Sequence, residues 1–437
     1  MSEASAQVDP AVRRRAARAA FVGTVLEYYD FSLYGSAAAT VFAQVFFPGA
    51  SPFLGTLQSV ATFAVAFLVR PFGGAILGSI GDRIGRQRVL IGTMLVMGLA
   101  TMAIGLVPGY ATIGWAAPVL LVLCRLLQGI GASAEFGGAT LVAVEFARPG
   151  RRGLFGSLPG TGAGLGGVLG TLMLLAASAV SGPAFLEWGW RIPFLLSGVL
   201  VGYGIWLRLR LPETPAFRRV EGAGETTRTP LRDLVRKHPR EVVAIIAIVT
   251  AQTGFGYFYL VFVVSYASGQ VGMSQSQTFA GLLAAQLSGT LLTPVFGALS
   301  DRFGRPALIL FGLVASAAMA FPLFALIRAD FPPGLWIAMI LANGVAASAI
   351  VATAGTLVTE LFGPGIRFSG MGLARETGNM IGAAAVPLLA VQLAYLDAGT
   401  WPMSVLLLAL SAVGLLGLLA VRTRVRRTDD VPEAARV

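Results

Sequence analysis

Apolar runs of about 20 residues or more recur along the whole chain, each long enough to cross a hydrocarbon core about 30 Å thick at 1.5 Å rise per residue. Twelve are legible, at 19–47, 57–80, 89–107, 116–146, 153–180, 190–209, 242–268, 278–299, 307–327, 335–361, 369–396 and 402–421. A backbone in hydrocarbon has no water to bond, so each run is read as an α-helix that satisfies its own polar groups. Composition agrees, because 56% of the 437 residues are hydrophobic and 12% are charged, whereas a soluble domain is about a quarter charged. The expectation is an all-α membrane protein with twelve transmembrane helices.

Arginine placement sets the expected orientation, since Lys and Arg collect in cytoplasmic loops. With the N-terminus inside, the cytoplasmic segments hold Arg13–Arg15 and Arg18, Arg83, Arg86 and Arg88, then Arg148, Arg151 and Arg152. The loop around 208–240, Arg302, Arg305, Arg367 and the tail after 421 add more, against only Arg191 and Arg328 outside. Trp115, Trp188, Trp190, Trp336 and Trp401 all fall at external helix entries, where indoles anchor. The net charge of +11 is therefore topogenic, and no nucleic-acid partner is implied. A single Cys124 and a single His238 leave no disulfide and no His/Cys metal or haem cluster, so neither cofactor nor metal is expected. No "GKS" or "GKT" follows the glycine runs, which argues against nucleotide-driven transport. The basic start runs into a segment bearing Glu27 and Asp30 and reads as a retained helix rather than a signal peptide.

One polar cassette occurs twice, as "GDRIGRQR" from Gly81 and "SDRFGR" from Ser300, each after the second helix of a six-helix set. The longest polar interval, 211–240, lies midway. The expected organisation is a tail 1–18, a six-helix bundle 19–210, a linker 211–240, a second bundle 241–422 and a tail 423–437, with both tails and the linker cytoplasmic. Internal repeats on this scale mark transporters whose two bundles rock about a central site.

With "LEYYDFSLYG" (26–35), "VFFPGASP" (45–52), "LVRPFGGAILGSIGDRIGRQ" (68–87), "RLLQGIGASAEFGGATLVAVEFA" (125–147), "WGWRIPF" (188–194), "LPETPAF" (211–217), "LSDRFGR" (299–305) and "IRFSG" (366–370), the chain resembles the metabolite:proton symporters of the major facilitator superfamily. The resemblance spans nearly the whole chain. It implies two pseudo-symmetric six-helix bundles, a bacterial inner membrane, and a first and fourth helix lining the transport path; separately, no Ser/His/Asp set or metal cluster lies in the spans, so no enzyme is expected. The resemblance also implies that Asp82, with Arg83, Gly85 and Arg86, meets a helix end or an arginine of the other half as a cytoplasmic latch, and that Asp301, Arg302, Gly304 and Arg305 form a weaker second latch. Gly85 permits the tight reversal between helices.

Charges inside the spans are the first functional suspects, because each costs about 2.5–3.5 kcal/mol at a helix centre. Glu27, Asp30 and Tyr34 sit at i, i+3 and i+7, one stripe of the first helix. Arg125, Gln128, Ala132 and Glu135 fall within a quarter turn on the fourth. Burial raises a carboxylate's proton affinity and a nearby guanidinium lowers it. Motion of Arg125 against Glu135 or Asp30 would therefore load and release a proton; the same residues as a static pair would lock helix packing. In the second half Gln252, Phe255 and Tyr259 share a face of the seventh helix, Gln286 and Thr290 one of the eighth, and Asn343 lies in the tenth. These suit substrate orientation or interhelical hydrogen bonding. After "IRFSG", where many members of the resembled family carry Tyr–Gln, this chain has Arg375 and Glu376, with Asn379 one turn on, read as a substrate-specific site or as a self-contained structural exchange. The glycine run 158–170 predicts close packing of the fourth and fifth helices.

The expected function is a monomeric importer of a small organic carboxylate or zwitterion with protons. Arg125 attracts the substrate carboxylate or tunes the proton site, Asp30, Glu135 and Glu27 carry protons, and the bilayer is the other partner. A proton-coupled exporter on the same scaffold and a transporter-like sensor are the alternatives.

Overall fold

The computed structural model describes residues 9–48, 52–223, 229–328, 331–394 and 399–430. Residues 1–8 and 431–437 of the expected tails, 224–228 of the linker and 49–51 of the "VFFPGASP" stretch lie outside the described residues. The described residues form twelve long helical rods that succeed one another in antiparallel order. The first half holds α1 (Pro10–Ala37, continued by Ala38–Phe42 and Ala43–Phe46), α2 (Pro52–Ile84), α3 (Arg86–Leu106), α4 (Ala116–Phe146), α5 (Arg152–Ser181) and α6 (Arg191–Leu209). The second holds α7 (Pro239–Gly269), α8 (Gln275–Phe303), α9 (Arg305–Ala318 and Pro322–Arg328), α10 (Pro332–Leu361), α11 (Arg367–Ala394) and α12 (Trp401–Asp430).

Ten of these rods are long and apolar enough to cross a membrane on those grounds alone. The other two are α1, which carries Arg13–Arg15, Arg18, Glu27 and Asp30, and α9, which breaks at 319–321 before Pro322 restarts it. Large apolar side chains face outward, with Phe72 and Leu291 each 71% exposed and Leu416 68%. In water such a surface would aggregate; in a bilayer it is the lipid contact. Because the rods alternate in direction, the starts of α1 and α7 and the ends of α6 and α12 share one face with the linker, here called the linker face.

Two local expectations are corrected and one is filled in. The first helix begins at Pro10 rather than Ala19: Asp9 accepts from the Ala11 amide at 2.7 Å and proline suits the first turn, neither of which needs apolar sequence. The linker contains two short helices, Pro215–Gly222 and Pro230–Lys237. Trp190 is no interface anchor but is fully buried against Phe42, Phe46 and Phe194.

Glycine decides which rods touch. Gly162 and Gly170 of α5 lie on the α1 backbone, where added Cβ atoms would stand 2.6 and 2.5 Å from the Phe21 and Tyr29 carbonyl oxygens. Gly166 meets Val25 in the same way. The other side of the run meets the second half, with Gly164 against Thr290 and Gly167 against Gln286 of α8. The glycine run therefore serves α1 and α8 rather than the expected packing on α4. A second crossing joins the halves where Gly74 of α2 and Gly372 of α11 bring their backbones together. Gly85 and Gly304 occupy the same place in the two halves, the turn into α3 and into α9, with φ of +108° and +86°. That left-handed region is open to glycine at little cost.

π-helical stretches interrupt α1 (Ala38–Phe42), α7 (Phe258–Val263), α10 (Ile340–Ala347) and α11 (Met371–Arg375 and Ile381–Ala385). Each inserts residues into the 3.6 period and turns the following side chains onto a new face.

Candidate functional site

The halves are fastened at the linker face by carboxylates on helix N-termini. At the end of α2, Asp82 accepts from the amides of Phe368 (3.2 Å) and Ser369 (2.8 Å) and from the Ser369 hydroxyl (2.9 Å), in the first turn of α11. Orphan N–H groups and the helix dipole both favour a carboxylate there. Arg86 pairs with Glu145 at the end of α4 and donates to the Pro364 carbonyl at 2.7 Å, while Arg367 of α11 reaches Glu145 at 2.8 Å. The second copy is leaner. Asp301 of α8 accepts from the amides of Gly153 (2.7 Å) and Leu154 (2.9 Å) at the start of α5. Arg305 stays within its own half, 3.0 Å from Asp301 and 3.1 Å from Glu360.

A further repeat underlies these contacts, Glu-x-x-x-Pro-Gly-x-Arg at Glu145–Arg152 and again at Glu360–Arg367, and the sequence reading passed it over. Of the residues expected at the gate, Arg83 and Arg302 stand aside as exposed side chains, Arg302 over the Phe303 ring.

Halfway along α2, Arg70 is 2% exposed and bonds both halves, to Glu27 of α1 at 2.8 Å and to Glu376 of α11 at 2.5 Å. Glu376 also pairs with Arg375 and accepts from Asn379 at 3.3 Å. Arg375 lies 3.9 Å from the centre of the Phe136 ring on α4. Sequence reading missed Arg70, although a charge inside the run 57–80 is the same signal that singled out Glu27.

Farther from the linker face a hydrogen-bond chain spans three helices. Asp30 of α1 accepts from the Thr101 hydroxyl of α3 at 2.6 Å, Thr101 accepts from Gln128 Nε2 of α4 at 2.6 Å, and Gln128 Oε1 accepts from Arg125 Nη1 at 3.1 Å. The Arg125 guanidinium lies 4.0 Å from the Tyr34 ring centre and 4.8 Å from that of Phe31. The Tyr34 hydroxyl donates to Thr62 at 2.7 Å. Asp30, Arg125 and Gln128 are all buried. Thr101 is the link that sequence alone did not offer, since a threonine among apolar residues is ordinary.

Other expected site residues are placed elsewhere. The fourth helix turns at Ser133–Ala134, so Glu135 does not share a working face with Arg125; it pairs with Arg208 at the end of α6, beside Gly23. Tyr259 stacks on Phe255 in the second half's own core, with Leu313, Phe324 and Leu335. Tyr257 instead meets the first half, edge-on to Phe67 at 5.8 Å. Phe255 and Tyr259 therefore face the second half's interior, and the adjacent Tyr257 takes the side of α7 toward the first half. Gln252, on the same stripe, is buried. Gln286 sits in the α5–α8 contact against Gly167, and Asn343 donates to the Ala285 carbonyl at 3.3 Å, tying α10 to α8.

The Major Facilitator Superfamily model matches residues 20–387 and 246–436. The chain is 38% identical to the shikimate transporter of Escherichia coli strain K12, over 89% of each chain. It is 34% identical to the proline/betaine transporter of Salmonella typhimurium strain LT2, over 98% of this chain and 89% of that one. The fold matches that of the proton:xylose symporter XylE bound to 6-bromo-6-deoxy-D-glucose with a TM-score of 0.77, covering 96% and 97% of the two chains at 16% identity.

Proposed function

We propose that this chain, which belongs to the major facilitator superfamily, imports a small metabolite bearing a carboxylate, an organic acid or a zwitterion, together with protons. The observation that carries the reading is the buried chain Asp30–Thr101–Gln128–Arg125. It joins a cation that binds a carboxylate to a carboxylate that takes a proton. The relatives named for shikimate and for proline and betaine support the substrate class.

The hydrogen-bond inventory gives the coupling. Ionised Asp30 only accepts, so Thr101 donates to it and offers its oxygen to the Gln128 amide, which turns Oε1 toward Arg125. Protonated Asp30 can donate to Thr101, whose own proton then goes to the Met97 carbonyl, 3.0 Å away. The Thr101 oxygen accepts from Asp30 and Gln128 together, so what changes is charge: Arg125, no longer balanced by an ionised Asp30, takes the substrate carboxylate as its counter-ion. In this reading Glu27 and Glu135 are counter-ions rather than proton carriers. The linker face, rich in arginine, is assigned to the cytoplasm of a bacterial inner membrane, with both termini inside. The fastened linker face corresponds to a state closed toward the cytoplasm.

In proteoliposomes with an inward proton gradient, labelled carboxylates and betaines are expected to accumulate and to stop accumulating with an uncoupler. Asp30→Asn is expected to lose gradient-driven accumulation and keep exchange. Accumulation that survives collapse of the gradient would sink proton coupling.

A further inference from the structure

Four buried charges outside the Asp30–Arg125 chain form a line across the seam between the halves. Glu27 and Arg70 belong to the first half, Glu376 and Arg375 to the second, and Arg70–Glu376 is the link that crosses. We propose that Arg70 and Glu376 are a mid-membrane clasp that closes the linker-face half of the transport path, and that Glu27 and Arg375 are the counter-ions that let it open. The proposal rests on the alternating-access reading above and concerns how the halves part, not what is carried.

Breaking a buried ion pair is costly when it strands a charge without a partner. Here neither ion is stranded. When the halves separate, Arg70 keeps Glu27 at 2.8 Å, and Glu376 keeps Arg375 and Asn379. Two neutral pairs part instead of two ions. The clasp also sits one turn from the tightest crossing of the seam, where Gly74 and Gly372 bring α2 and α11 backbone to backbone. The π-helical stretch Met371–Arg375 ends on the residue before Glu376 and aims it across that crossing.

The pseudo-symmetric seam lacks the device. Counted from Asp82 and Asp301, Arg70 corresponds to Gly289 of α8; counted from the Glu-x-x-x-Pro-Gly-x-Arg repeats, Glu376 corresponds to Thr161 of α5. The α2–α11 seam is thus charged where the α5–α8 seam is small and neutral.

The proposal predicts opposed shifts. Glu376→Gln removes the clasp and favours the open linker face. Arg375→Gln and Glu27→Gln remove charges needed chiefly after opening, and favour the closed one. Spin labels on Arg88→Cys and Ala307→Cys, exposed positions at the starts of α3 and α9, report the separation of the halves by pulsed electron resonance in the full chain carrying Cys124→Ser, without substrate or gradient. The expected change in the open-to-closed ratio is about tenfold in each direction, a typical coupling between states. Equal or same-sign shifts for Glu376→Gln and Arg375→Gln would overturn the clasp. Should Glu376→Gln fail to fold, a shift toward open in either counter-ion variant overturns it equally. A protein that accumulates no carboxylate yet gives opposed shifts supports the clasp and refutes the substrate reading.

Discussion

Asp82→Asn should open the linker face far more than Asp301→Asn, although the two aspartates occupy the same place in the repeat. Asp82 accepts three bonds from α11, at 3.2, 2.8 and 2.9 Å, and its side chain is fully buried. Hydrogen bonds to a charged group are worth about 1.5–3 kcal/mol each. Asparagine keeps one acceptor, turns an NH2 toward a donor and loses the dipole interaction of about 0.3–1 kcal/mol. The closed state then loses about 3 kcal/mol, roughly 100-fold in the open-to-closed ratio. Asp301 accepts two amide bonds and is 9% exposed on its side chain, so its replacement costs about half as much, roughly tenfold. Arg86 keeps Glu145 in the one variant and Arg305 keeps Glu360 in the other, so neither strands an arginine.

The reporter is Thr140→Cys on Cys124→Ser. Thr140 is fully buried where α4 meets Gly355 of α10, between the two halves. A membrane-impermeant maleimide applied from the linker face labels it in proportion to the open population, when opening is fast relative to labelling. Accelerations of about 100-fold and tenfold are expected, by the same arithmetic. Equal accelerations, or an unchanged rate in a folded Asp82→Asn protein, would refute the reasoning.

Glu135→Gln leaves Arg208 buried without its counter-ion and should destabilise the first half by about 3–5 kcal/mol; Glu135→Leu with Arg208→Leu should recover most of the melting temperature and retain gradient-driven uptake. A single variant that melts like the parent, or a folded double variant without uptake, would return Glu135 to the transport path. Gly166→Val forces α1 and α5 apart at Val25 and should lower the melting temperature by the equivalent of about 1–3 kcal/mol. Gly167→Ala, which meets only the tip of Gln286 at 3.1 Å, should be nearly silent; the reverse order would mean that the α5 glycines do not set helix contact.

Much of this molecule was legible before any coordinates. Hydrocarbon imposes helices and their length, so apolar runs were enough for twelve rods, while arginine bias gives an expected orientation. The repeated cassette was enough to mark Asp82 and Asp301, because a motif that recurs at the same helix end in both halves carries its position with it. Glu27, Asp30 and Arg125 stood out because charge in a membrane is expensive, and Arg70 would have stood out by the same test. What the sequence could not supply was partnership. Glu135 lay on the right stripe for Arg125 until a turn at Ser133–Ala134 gave it to Arg208, and Tyr259 lay on a polar-looking stripe that packing buried in the core. Arg70 and Glu376 are 306 residues apart in the chain and touch because Gly74 and Gly372 let two backbones meet one turn away. Periodicity fixes the face of a helix relative to itself; only the close packing of all twelve decides what that face meets, and a buried charge takes its role from the charge it meets.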